Sequence, residues 1–164
     1  MNFDKIVFLD IDGVVNSSKF FRSLGADRAS WDNIDEEKVK LLKEIQSATG
    51  CDFVMSSSWR NGWISLRKYK MYEYAYEMFK KYGIDFDDDL ARLPNYGYGQ
   101  RAEEIQDYVY DHKVKHYVVL DDQFVNDPNL VHVKGSVGLE EEDVNKAIEI
   151  LNKEDLRENK DNDF

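Results

Sequence analysis

Two carboxylates, Asp10 and Asp12, follow the apolar run Lys5-Ile6-Val7-Phe8-Leu9 and precede Gly13. Two residues apart in extended backbone, they point to the same side. Carboxylates this close repel unless a cation or a shared proton lies between them. A second acidic pair, Asp121-Asp122, follows Tyr117-Val118-Val119-Leu120, and Ser56-Ser57-Ser58 follows Phe53-Val54-Met55. If Asp121 or Asp122 joins the first pair, the result is an oxygen-only cage suited to a hard cation such as Mg²⁺. Ser56 adds a neutral donor for a phosphoryl oxygen, and Gly13 permits a sharp turn directly after Asp12. Such a set suits a phosphoryl group better than a carbonyl, because a cation offsets repulsion between the substrate's oxygens and an attacking carboxylate. A second carboxylic acid would protonate the departing alkoxide and then take a proton from water.

For these clusters to meet, the runs before them must be adjacent strands. Their unbroken hydrophobicity predicts strands covered on both faces, as in a parallel sheet, with Leu130-Val131-His132-Val133 as a weaker fourth. Helical spacing lies between them. Asp35 is the expected cap of a helix through Val39, Leu42 and Ile45, ended by Gly50. Further helices are expected over about Trp63 to Tyr82, stopped by Gly83, over Glu103 to Asp111, and over Leu139 to Leu151. Strands alternating with helices predict a three-layer α/β/α sandwich around a mostly parallel sheet, with ligands beyond the carboxyl ends of the strands. Residues 1–152 read as one domain and 153–164 as a charged, flexible tail.

Bulk properties narrow the function. The chain has 164 residues, 33 acidic against 22 basic, and a net charge of -11. That balance opposes an extended nucleic-acid surface or an anionic membrane as partner. The N-terminus lacks a signal-peptide layout and no apolar run approaches the roughly 20 residues that span a bilayer, so a cytoplasmic protein is expected. Cys51 stands alone and reads as a small core residue. Oligomeric state is left open.

Val7-Phe8-Leu9-Asp10-Ile11-Asp12-Gly13-Val14-Val15 resembles the first motif of the haloacid-dehalogenase-like (HAD) superfamily. Phe53-Val54-Met55-Ser56 is similar to its second motif and Val118-Val119-Leu120-Asp121-Asp122 to its acidic fourth. The third supplies a Lys or Arg near the start of the helix before that last strand. Arg101 in Gln100-Arg101-Ala102-Glu103-Glu104-Ile105 is its best match, although a Gly often stands where this chain has Ala102; Lys113 and Lys115 are the alternatives. A finer resemblance, through Asp12-Gly13-Val14-Val15-Asn16, Ser57-Ser58-Trp59-Arg60, Glu103-Glu104-Ile105 and Gly138-Leu139, is to small HAD domains associated with RNA-repair proteins.

The resemblance implies a capless or minimally capped phosphomonoester hydrolase. Asp10 would be the nucleophile and Asp12 the general acid and base, with its backbone carbonyl also on the metal. Ser56 and Arg101 would bind phosphoryl oxygens, and Asp122 and Asp121 would complete a Mg²⁺ site, with Asp122 favoured as the closer ligand. The implied substrate is a phosphorylated small molecule, a nucleotide or a nucleic-acid end. Two other outcomes stay in view: a catalytically inactive metal-binding interaction domain of the same fold, and a phosphotransferase to an acceptor other than water.

Other residues carry weaker signals. Trp59 beside Arg60 offers a ring to stack a base and a guanidinium to hold its phosphate, whereas packing of Trp59 and Trp63 on the sheet is the simpler account of the rings. Ser57 and Ser58 suit a helix cap. The loop Leu93-Pro94-Asn95-Tyr96-Gly97-Tyr98-Gly99 is either a substrate lid or an ordinary connection.

Overall fold

The computed structural model describes residues 1–25, 32–63 and 72–154. Four strands, β1 (Lys5–Leu9), β2 (Asp52–Met55), β3 (His116–Asp121) and β4 (Leu130–His132), form one sheet in the order β2-β1-β3-β4. Every pairing is parallel. Five helices surround it among the described residues: α1 (Ser18–Leu24), α2 (Glu36–Thr49), α3 (Glu73–Lys81), α4 (Arg101–Asp111) and α5 (Glu141–Leu151).

The unbroken apolar runs are explained by coverage of both faces. Val7, Leu9, Phe53, Met55, Val118 and Leu120 meet Val39, Leu42 and Ile45 of α2, Ala75 and Phe79 of α3, and Val144, Ala147 and Leu151 of α5. On the opposite face, Ile6, Phe8, Val54 and Val119 pack against Ile105 and Tyr108 of α4. Each such side chain contributes on the order of 2 kcal/mol by burial. This apolar sandwich leaves the strand ends free to carry charge. The three-layer α/β/α arrangement is the one expected.

Local signals also act as anticipated. Asp35 caps α2 by accepting from the Glu37 amide, and Gly50 ends it in the left-handed conformation. Helix α4 starts at Arg101, two residues earlier than the apolar spacing suggested. The helix expected over Trp63 to Tyr82 is described as α3 alone, since residues 64–71 lie outside the described residues. Within 16–34, α1 is capped by Ser17, whose hydroxyl accepts from the Phe20 amide. Most of the expected tail, 155–164, also lies outside the described residues. No helix among them is long and apolar enough to cross a membrane.

Candidate active site

The register of the sheet gathers the polar clusters. Leu9 pairs with Met55 on one side and Leu120 on the other. One residue further, Asp10, Ser56 and Asp121 therefore stand level at the rim. Backbone bonds continue there: the Asp10 amide donates to Leu120 O at 3.0 Å and the Ser56 amide to Leu9 O at 2.9 Å. Carboxylate oxygens of Asp10, Asp121 and Asp122 all lie within 4.8 Å of one another.

Burial and like charge dominate this cluster. Burial pushes the Asp10 carboxyl up to about 8, the Asp121 charge adds to the rise, and Arg101 opposes it. Asp122 is also raised, first by burial. Arg101 comes from the first turn of α4, with Nη1 2.6 Å from Asp121 Oδ2 and 3.5 Å from Asp10 Oδ1. Burial works against its charge, but the Asp10 and Asp121 carboxylates outweigh this and hold it raised. Lys113 and Lys115, the other candidates for that position, precede β3 at its opposite end, where Lys115 pairs with Asp4 at 2.9 Å. A six-residue strand separates them from the cluster.

Residues 6–144 match the family described as the HAD domain in Swiss Army Knife RNA repair proteins. The chain belongs to that family. No curated protein and no solved structure matches it.

The HAD domain's acidic cluster fits a hard divalent cation on three grounds. Its donors are all carboxylate oxygens. The Asp121 and Asp122 charges add to the rise that burial imposes on the Asp10 carboxyl, a repulsion that a cation offsets. And Asp122 sits in a cradle that only glycine permits. A Cβ on Gly13, which has φ 83°, would overlap the Asp122 carboxylate, and one on Gly135 would come within 2.6 Å of its Oδ2. Asp121 is engaged on both oxygens, by Arg101 and by the Gln123 amide at 2.9 Å. Asp122 is thus the less encumbered of the pair.

Asp12 stands apart from this cluster and is exposed. Its Oδ1 accepts from Asn16 Nδ2 at 3.0 Å and its Oδ2 from Trp59 Nε1 at 3.1 Å. The Asn16 Oδ1 in turn accepts from the Gly13 amide at 2.8 Å, closing the turn on itself. Trp59 is buried, its indole stacked on Tyr72 with ring centroids 4.5 Å apart. Its ring therefore packs, as the simpler account held, while its N–H holds Asp12. Ser57 caps the 3₁₀ turn Ser58–Asn61 by accepting from the Trp59 amide.

Ser56 is fully buried, and its Oγ has no hydrogen-bond partner among the described residues. An orphaned buried hydroxyl at the rim is costly unless a ligand satisfies it. Arg60 requires a correction. Expected to hold a phosphoryl oxygen, it is buried and donates inward to the Ser56, Ser57 and Pro94 carbonyls and to Glu104 Oε2 at 2.7 Å. Its charge is already matched by Glu104, and its bonds brace the end of β2. The roles of Gly135 and Glu104 carry no local signal, since Gly135 meets Asp122 across a loop contact and Glu104 meets Arg60, 44 residues away.

Proposed function

We propose that the chain is a Mg²⁺-dependent phosphomonoester hydrolase acting through an aspartyl-phosphate intermediate, on a nucleotide or nucleic-acid terminal phosphate. The observation that carries this reading is the position of Asp10. It is a buried carboxylate within reach of two further carboxylates and one guanidinium, at the strand end where the fold binds ligands. Membership of a HAD family associated with RNA repair supports the choice of substrate class.

Asp10, Asp122 and Asp121 would hold Mg²⁺, with the Asp12 backbone carbonyl as a further donor; the ion would neutralise charge on the phosphoryl oxygens. Ser56 Oγ and Arg101 would bind those oxygens. An Asp10 oxygen attacks phosphorus, the bond to the leaving oxygen breaks, and Asp12 donates its proton to that oxygen. Asp12 then takes a proton from water, whose oxygen attacks phosphorus and displaces Asp10, releasing inorganic phosphate. Asp12 serves both steps from a carboxylate held at both oxygens by Asn16 and Trp59.

The test is Asp10→Asn against an aryl phosphate with Mg²⁺. Turnover should fall at least about a thousandfold. Turnover retained within tenfold of the unaltered chain would remove Asp10 as nucleophile.

A further inference from the structure

Arg101, which faces the carboxylate cluster, also lines a groove of about 800 Å³ bounded by the loop before α4, the 3₁₀ turn after β2 and the loop after β3. Two aromatic rings stand on this groove with little cover: Tyr98 is fully exposed and Phe124 is 76% exposed. Carboxamides of Asn61, Gln123 and Asn126 line it as well. Single exposed rings are ordinary on a protein surface. Two on one groove that also contains the cluster's guanidinium offer stacking faces beside a phosphate-binding group.

Its lining defines the ligand. Flat π faces stack any base, and side-chain carboxamides pair with the donors and acceptors on a base edge. Among the described residues that line the groove, the cations are Arg60 and Arg101. The first is matched by Glu104 and the second faces Asp10 and Asp121. Glu103 adds negative charge. This balance of charge suits a ligand with one phosphate, at Arg101, and no further charge.

The wall is built before any ligand arrives. The Tyr96 amide donates to Glu104 Oε1 at 2.9 Å, and Arg60 holds the Pro94 carbonyl, so the segment leading to Tyr98 is anchored to α4. The Leu93 amide donates to Met55 O, fixing the start of the same segment to the end of β2.

We propose that this groove binds the base of a nucleoside monophosphate, through Tyr98, Phe124 and the neighbouring carboxamides, while its phosphate lies at Arg101. The inference deepens the hydrolase reading and rests on it only for the fate of the phosphate. Adenosine 5′-monophosphate and ribose 5-phosphate differ by the base alone and isolate its contribution. In the unaltered chain kcat/KM should favour the nucleotide by about a hundredfold, and that ratio should fall by about tenfold in Y98A and in F124A. Y98F and F124Y, which keep a ring, should retain it. Calorimetric titration of the D10N chain with Mg²⁺ should find the nucleotide bound at least about tenfold more tightly than ribose 5-phosphate. Equal binding of the two, or a ratio indifferent to both alanine variants, overturns the groove. p-Nitrophenyl phosphate, which has no base, tests the chemistry separately. If it is not hydrolysed the hydrolase reading fails, and the groove is then decided by the titration alone.

Discussion

At the scale of single residues, Asp12 depends on a side chain from another element. The Trp59 indole N–H and the Asn16 amide fix both of its oxygens. Trp59→Phe keeps the ring against Tyr72 but removes the donor. General acid catalysis matters most when the leaving group is poor. kcat should therefore fall about tenfold for an alkyl phosphate and by less than half that factor for p-nitrophenyl phosphate. Equal losses on the two substrates would mean that Trp59 supports the fold and not the acid. A second expectation concerns Asp10, whose carboxyl burial and the Asp121 charge push up to about 8. Below that pH the group holds a proton that a cation must displace. Mg²⁺ affinity should thus rise with pH, approaching tenfold per unit, and flatten above about 8. Titration calorimetry at pH 6, 7 and 8 in buffers of different ionisation enthalpy reads both the affinity and the released proton. A flat affinity with no proton release would show that Asp10 holds no proton for the ion to displace.

At the scale of elements, the site is a junction of strand ends braced from behind by one buried ion pair. Arg60 and Glu104 have side chains only 6% and 1% exposed, on a 3₁₀ turn and on α4, and together tie β2 to the segment before α4. Removing one partner strands the other in the interior, at a cost of about 3–5 kcal/mol. Arg60→Met should therefore lower the unfolding free energy by that amount, whereas R60M with E104M should recover much of it while leaving Tyr96 unanchored. Denaturant unfolding of the three chains checks this; equal loss in the single and double variants would remove the pair as a brace. The sheet itself was legible from the sequence because strands covered on both faces must be apolar throughout, and Val7, Phe8, Val118 and Val119 obey that demand. The carboxylates at the strand ends were legible for the same reason: a polar residue that interrupts such a run marks the rim. Arg60 was not. Beside Trp59 it looks like a ligand-binding pair, and only its partner 44 residues away, on a different element, shows where its charge goes. Gly135 was hidden likewise, because its smallness serves Asp122 across a loop contact.

At the scale of the whole molecule, charge sets the kind of ligand that can approach. A chain with a net charge of -11 repels a polyanion, while a single phosphate needs only Arg101 and a cation at the carboxylate cluster. The repulsion acts over the Debye length, about 10 Å at 0.1 M salt, so each further phosphate of a polymer end adds to it. A nucleoside monophosphate should therefore be a better substrate than a ten-residue oligonucleotide bearing the same terminal phosphate. The direction of the salt effect separates this from ordinary nucleic-acid binding, in which counterion release makes affinity fall as salt rises. Here kcat/KM for the oligonucleotide should increase between 20 and 200 mM salt, by about threefold to tenfold, while the monophosphate changes less. Both substrates can be followed by phosphate release at fixed Mg²⁺. An oligonucleotide preferred over the monophosphate, and losing that preference as salt is added, would require a basic track that the overall charge does not suggest.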